Sequence, residues 1–305
     1  MTAARALARF ALLLAVASVL IFLLLRAVPG DPARVALGVT ATDEAVAELS
    51  TTLGLDRPLI VQYFDWITGL LTGDFGGSLA SRTDITQAVV ERAGASLTLT
   101  VLAMVLSLAI AVPLGVYLAL RGDRPDGAVL AGLTQLGIVV PSFLVGILAV
   151  ALFSVRLGWL PANGWGTPAH LVLPVVALTL VQAAILTRYV RHAVADEMGK
   201  DYTRTARARG TSTSGALYGH ALRNAALPVF TVAGIQLSSL IVGAVVIERV
   251  FAIPGLGTML LDAVGNRDLT TVQTVLMLLV GFTLAVNLVV DLLYTVIDPR
   301  IRRQP

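Results

Sequence analysis

Apolar residues in this chain fall into blocks rather than alternating with polar ones. Six intervals lack Asp, Glu, Lys and Arg altogether: Phe10 to Leu25, Ala93 to Leu120 with its apolar part from Ser96, Gly127 to Val155, His170 to Thr187, Asn224 to Ile247, and Leu269 to Val290. A helix needs roughly 20 largely apolar residues to cross a bilayer. A charge at mid-membrane costs roughly 2.5–3.5 kcal/mol, so intervals of this kind predict six transmembrane helices. Pro113, Pro141, Pro174 and Pro228 fall within or near the ends of four of them. Each removes a backbone donor and bends its helix, which serves either plain helix shaping or hinging along a substrate path.

Residues 27–95 form the longest segment between the blocks. Turn-rich "VPGDPARV" opens it, Thr42 can cap a helix with Asp43 and Glu44 in its first turn, and Gly54 can end that helix. A second helix starts near Pro58, with Ile60, Tyr63, Phe64, Ile67, Leu70 and Leu71 at helical spacing. Tyr63 and Trp66 suit a headgroup level, so this helix is expected on the membrane surface or against the bundle. The segment is too small for an independent catalytic domain and reads as a lid or docking surface. Between the last two blocks, Pro254-Gly255 and Gly257 should break any helix, leaving either a surface turn or a segment folded back towards the pathway.

Orientation follows from the basic residues. With a cytoplasmic N-terminus, the inside segments carry 14 Lys and Arg and the outside segments 8, while the long outside loop holds nine acidic residues against four basic ones. The inside count includes Arg300, Arg302 and Arg303. The positive-inside rule then places both termini in the cytoplasm. The first block could also be read as a signal peptide, but its core is long and Arg26-Ala-Val-Pro-Gly is a poor cleavage site.

Composition agrees with a membrane protein: 56% of the 305 residues are hydrophobic and 13% charged, where a soluble domain carries about 25% charged residues. The net charge of +3 is parcelled out between apolar blocks, which argues against a nucleic-acid surface. The chain has no cysteine, and its three histidines, His170, His192 and His220, belong to separate segments, so no metal cluster is expected. No G-x-x-x-x-G-K-[ST], H-E-x-x-H or G-x-S-x-G occurs. Nor do the blocks contain a carboxylate or a proton-relay histidine of the sort an ion-coupled secondary transporter needs. That alternative would show transport that collapses with the membrane potential and ignores ATP depletion. Gln182 and Gln236 are polar groups inside blocks and, with Pro141, Pro254 and Gly255, are the candidate pathway or gate residues. Uphill transport would need energy from a partner.

One inside loop is sizeable. Residues 188–224 carry seven basic and three acidic residues, and Lys200 is the only lysine in the chain. Lys200, Arg204 and Arg207 fall at i, i+4, i+7 on one helical face, with Arg209 nearly opposite. Gly210 ends that helix, and Thr211 or Ser212 can cap a short second one running through Leu217 towards His220. Topology and anionic-lipid binding would need only scattered charge.

The segment "DYTRTARARGTSTSGALYGHALRNAALPV" resembles the cytoplasmic coupling loop of ABC importer permeases of the dipeptide/oligopeptide/nickel family. The general motif is Glu-Ala-Ala, three residues, Gly, then a later Ile-x-Leu-Pro. Here Arg204-Thr205-Ala206 takes the first place, Gly210 the glycine and Leu227-Pro228 the close, with a longer spacing before Leu-Pro. "LLLRAVPGDPA", "LGLDRP", "GDFGGS", "VVPSFLVGILAV", "VFAIPGLG", "NRDLTTVQ" and "VDLLYTVIDPRIR" extend the resemblance to the B-type subunit over essentially the whole chain.

The resemblance implies an all-α membrane protein with the type I ABC importer permease fold. Its first helix would span residues 1–26, an extracytoplasmic loop segment 27–93, the type-1 transmembrane domain 94–295 with the coupling loop at 188–224, and a cytoplasmic tail 296–305. It also implies a bacterial inner-membrane subunit that is not itself an enzyme. The implied partners are a homologous second permease, two ATPase subunits that bind ATP and Mg, and an extracytoplasmic substrate-binding protein. Substrates would be di- or oligopeptides, or alternatively glutathione, nickel chelates or haem. The coupling residues implied are Arg204, Thr205, Ala206, Arg207, Arg209, Gly210, Thr211, Leu217, His220, Leu222, Arg223, Leu227 and Pro228, with the helix at Thr211–Leu222 seated in an ATPase cleft.

Overall fold

A computed structural model describes residues 3–38, 41–122 and 124–297. The helices are α1 (Ala3–Arg26), α2 (Pro32–Leu37), α3 (Asp43–Thr52), α4 (Leu59–Thr72), α5 (Thr86–Arg121), α6 (Pro125–Val139), α7 (Ser142–Ala149), α8 (Pro168–Met198), α9 (Asp201–Ala208), α10 (Thr213–Ala216), α11 (Leu222–Val250), α12 (Leu256–Gly265) and α13 (Leu269–Ile297). No strand occurs among the described residues, only an isolated bridge between Gly77 and Asp84. Five helices are long and apolar enough to cross a membrane: α1, α5, α8, the rod Thr213–Val250 and α13. The third block differs from its expectation. It is a pair, Pro125–Val139 and Ser142–Arg156, bent by 97°, and the pair makes a sixth span if counted as one. Pro141 stands at the break, since it cannot donate to the helix before it and holds its own φ near −63°. Wider π turns over Val150–Arg156 close the second half. The predicted tail beyond Ile297, including Arg300, Arg302 and Arg303, lies outside the described residues.

Helix α8 is the centre of the bundle and packs against α5, α6, α7 and α11. Small residues set its distance from α5: Ala103, Ser107, Ala111 and Gly115 recur every fourth position and are buried. A Cβ on Gly115 would lie 2.5 Å from Val190 Cβ and 2.9 Å from Thr187 O, so only glycine permits this approach. Such a stripe lets backbones meet where lipid supplies no hydrophobic drive. The outer faces of α1 and α11 remain apolar and exposed, as at Leu12, Leu24, Val242 and Val246.

The loop after α1 folds as two helical units. Thr42 caps α3 by accepting from Ala45 N at 3.3 Å, and Gly54 follows in the left-handed region at φ +65°. Helix α4 packs on α1: Tyr63 and Ser18 hydroxyls share a hydrogen bond of 2.8 Å, and Phe22 meets Tyr63 edge-on and Trp66 face-on. Buried Asp268, before α13, then ties the segment to the bundle. Its carboxylate accepts from Ser78 Oγ at 2.5 Å, Leu79 N at 3.0 Å and Thr271 Oγ1 at 2.7 Å.

Residues 251–268 are not a plain surface turn: the segment folds back on the bundle, and it does so as a helix that packs against α5, α11 and α13. Gly257 lies in the first turn of the ten-residue α12, whose Leu256, Gly257, Thr258, Met259 and Ala263 are buried. The chain doubles back after Phe251, which is 1% exposed, through Ala252 at φ +49°.

Candidate functional site

The 197–228 segment is built from two helices clamped to the ends of two spans. Helix α9 starts at Lys200, whose backbone is extended (φ −75°, ψ 155°). Thr203, in its first turn, is fully buried, its hydroxyl within 2.6–3.1 Å of the carbonyls of Lys200, Met198 and Glu197. Glu197, the last acidic residue of α8, accepts from Lys200 Nζ at 2.5 Å and from the Tyr202 hydroxyl. Tyr202 in turn accepts from Asn224 Nδ2 at 2.9 Å and lies edge-on to His220. A polar chain therefore runs from Lys200 through Glu197 and Tyr202 to Asn224, joining the end of α8, α9 and the start of α11. The bond to Glu197 holds the Lys200 ammonium above its ordinary range. Burial first, then the bond to Glu197, push the Tyr202 phenol up against the opposing effect of Asn224.

Helix α9 ends at Arg209 and Gly210. Gly210 adopts φ +91°, and a Cβ added there would meet no atom within 4 Å, so the requirement for glycine is conformational and not steric. Ser212 caps the next helix, accepting from Gly215 N at 3.1 Å. That helix is not a separate short one. Helix α10, π turns over Leu217–Ala221 and α11 form one 38-residue rod from Thr213 to Val250, so most of the expected Thr211–Leu222 element is the first part of a candidate span. Its inner face is fixed: Leu217, Ala221 and Ala225 pack with Val190 and Val194 of α8.

The candidate residues divide accordingly. Arg204, Thr205, Arg207, Arg209, Gly210, Thr211, His220, Arg223 and Pro228 are exposed, while Ala206, Leu222 and Leu227 are half-buried. Leu217 is 1% exposed and positions the rod from within, so it offers no surface to a partner. The predicted cationic face is also thinned, because Lys200 is engaged by Glu197 and Arg204 lies 3.7 Å from Asp201. Arg204 and Arg207 line a shallow recess with Ala208, Thr211, Ser212 and Thr213. Sequence reasoning passed over Tyr218, which is 71% exposed beside buried Leu217, and the clamp formed by Glu197, Tyr202, Thr203 and Asn224. The i, i+3, i+5 spacing of Glu197, Lys200 and Tyr202 is the signal that carried it.

The pathway candidates stand apart from one another. Pro141 is exposed at the α6–α7 break, Gln182 is buried in α8 with its Nε2 unpartnered among the described residues, Gln236 is half-buried in α11, and Pro254 is exposed. Gly255 alone belongs to a tight junction, and the residue that builds it is Glu248. The charge-free blocks stop at Ile247, yet Glu248 is inside the last turn of α11 and 1% exposed. Its Oε1 accepts from Ser96 Oγ at 2.6 Å and its Oε2 from Thr258 N at 3.0 Å, while Ser96 Oγ accepts from Leu256 N at 2.8 Å. The Glu248 side chain thus caps α12 from another helix, its oxygen accepting one of the N–H groups that a helix leaves unpaired at its start. A Cβ on Gly255 would lie 2.2 Å from the Glu248 carboxyl carbon, which explains why glycine stands there.

The architecture resembles that of ABC importer permeases. The methionine ABC transporter MetNI, solved in inward-facing conformations, aligns with a TM-score of 0.61 at 20% identity, over 70% of this chain and 98% of that one. An amino acid ABC transporter aligns at 0.53 and 18% identity, over 68% and 93%. These likenesses define the class as the type I permease fold. The chain belongs to the family of binding-protein-dependent transport system inner membrane components, whose model matches residues 111–303, with the N-terminal model of the same family matching 2–100. Relatives include the probable peptide ABC transporter permease protein y4tP of Sinorhizobium fredii, 40% identical over 95% of both chains. The glutathione transport system permease protein GsiC of Salmonella choleraesuis is 39% identical over 95% of this chain and 94% of its own. A putative peptide transport system permease protein of Brucella abortus is 40% identical over 94% of each.

Proposed function

We propose that this permease subunit conducts short peptides through an importer driven by two partner ATPases, beside a homologous second permease and beneath an extracytoplasmic binding protein. ATP and Mg belong to the ATPase subunits, and both termini face the cytoplasm. The observation that carries the reading is the exposed, cationic helix–glycine–helix at 204–223, clamped by Glu197 and Asn224 to two spanning helices. A push on such a surface moves α8 and α11 as rigid bodies, and its arginines supply orientation and charge complementarity to an ATPase. The peptide-transport relatives support the substrate class. The glutathione relative favours a second reading, in which the peptide is glutathione itself.

Uptake of labelled dialanine and of glutathione by cells carrying the whole system tests both readings. Import of either that stops when the ATPase genes are deleted supports the proposal, and the preferred label chooses between the substrates. Uptake that survives loss of the ATPases contradicts it.

A further inference from the structure

Between the end of α1, the α3–α4 turn, α4 and the first turns of α13 lies a cavity of about 310 Å³. Five side-chain polar atoms are buried without a partner among the described residues, and three belong to residues lining this cavity: Arg26 Nε, Trp66 Nε1 and Gln62 Oε1. The Arg26 guanidinium has no carboxylate partner among the described residues and lies over the Phe22 ring, 5.3 Å from its centre. Gln62 spends its Nε2 on the carbonyls of Leu55 and Arg57, which leaves the amide oxygen as the free end. Asp74, also in the wall, accepts from Gly76 N at 3.0 Å and has no cation beside it among the described residues. Arg57 and Asp65 neutralise each other at 3.0 Å. The wall therefore presents one unpaired cation with an indole donor, and one unpaired carboxylate with an amide acceptor. The three buried atoms, Arg26 Nε, Trp66 Nε1 and Gln62 Oε1, left in that state destabilise a fold unless something binds them, while Asp74 is exposed at the mouth and free to receive a cation.

We propose that this cavity binds a zwitterion carrying an oxyanion and a primary ammonium group, with Arg26 and Trp66 taking the oxyanion and Asp74 and Gln62 the ammonium. A phosphoethanolamine lipid head has this chemistry, and so does a free peptide. The surroundings favour the lipid head. Helix α4 has no buried residue, and its Ile60, Phe64 and Leu71 are 63%, 58% and 81% exposed, alongside the exposed Leu20 and Leu24 of α1. An apolar flank that carries a tryptophan places the cavity at headgroup depth.

Native mass spectrometry tests this on the full chain, extracted in its native complex and held in nanodiscs with equal phosphatidylethanolamine and phosphatidylcholine. Choline cannot donate hydrogen bonds, so the wild type should retain ethanolamine lipid roughly tenfold over choline lipid, the worth of one charge-assisted bond. Asp74→Asn should abolish the preference, while Arg26→Gln, which loses the contact to the phosphate that both heads share, should lower retention of both lipids, and Arg26→Lys should keep most of it. If Arg26→Gln fails to assemble, Asp74→Asn at its exposed position and Trp66→Phe carry the test. Displacement of the lipid by millimolar dialanine in the wild type alone confirms the site and makes a soluble zwitterion its occupant. Equal retention of both lipids by wild type and variants, with no effect of dialanine, overturns the proposal.

Discussion

Glu248 shows how one side chain can decide the course of a loop. Its carboxylate ends one helix and starts another, satisfying Thr258 N directly and Leu256 N through Ser96. Removing it strands a buried hydroxyl and a buried amide, each costing about 1–3 kcal/mol. Glu248→Ala should therefore lower the melting temperature of the purified protein clearly more than Glu248→Gln, which keeps an acceptor oxygen. Equal melting of the two variants would mean that the cap contributes nothing. The sequence hides this role because a charge at the edge of an apolar block reads as a loop residue. Its burial depends on the return of Gly255 and Thr258, seven and ten residues later, which no local pattern reveals. By contrast, Gly210 was legible, since a glycine closing a polar helical stretch before a Ser cap has a local cause.

Among the elements, α5 and α8 carry the strongest dependence on residue size. Gly115→Leu would drive a side chain into Val190 and Thr187 O, and overpacking of this sort costs roughly 1–3 kcal/mol or forces the helices apart. The control is Gly132→Leu, the same change in another apolar helix, where a Cβ meets nothing within 4 Å. In detergent, Gly132→Leu should melt like the wild type and Gly115→Leu several degrees lower; equal melting of the two would remove the packing argument. Spans of this kind are readable from charge-free intervals, because the bilayer enforces their length. The 97° bend at Pro141 was not readable, since an internal proline is compatible with a kinked helix as well as with a broken one. The continuity of α10 with α11 was hidden too: Ser212 signals a start, and nothing after it signals a stop.

At the scale of the whole molecule, the basic residues and the clamp at Glu197 concern one surface, and its side of the membrane can be measured. The chain has no cysteine, so Tyr218→Cys adds a single label site on an exposed position. It should react with an impermeant maleimide in inside-out vesicles and not in intact cells; the reverse pattern would invert the topology. In the proposed importer this surface transmits ATPase movement to the spans. Arg207→Glu reverses an exposed charge, while Gly210→Pro imposes a φ near −65° where the backbone needs +91°. The decisive measurement is ATP hydrolysis and peptide uptake, side by side, in proteoliposomes of the complete importer. Both variants should insert and assemble, with uptake falling at least about tenfold, the effect of roughly 1.4 kcal/mol, while hydrolysis continues. Uptake at the wild-type rate in these variants would contradict transmission through this surface.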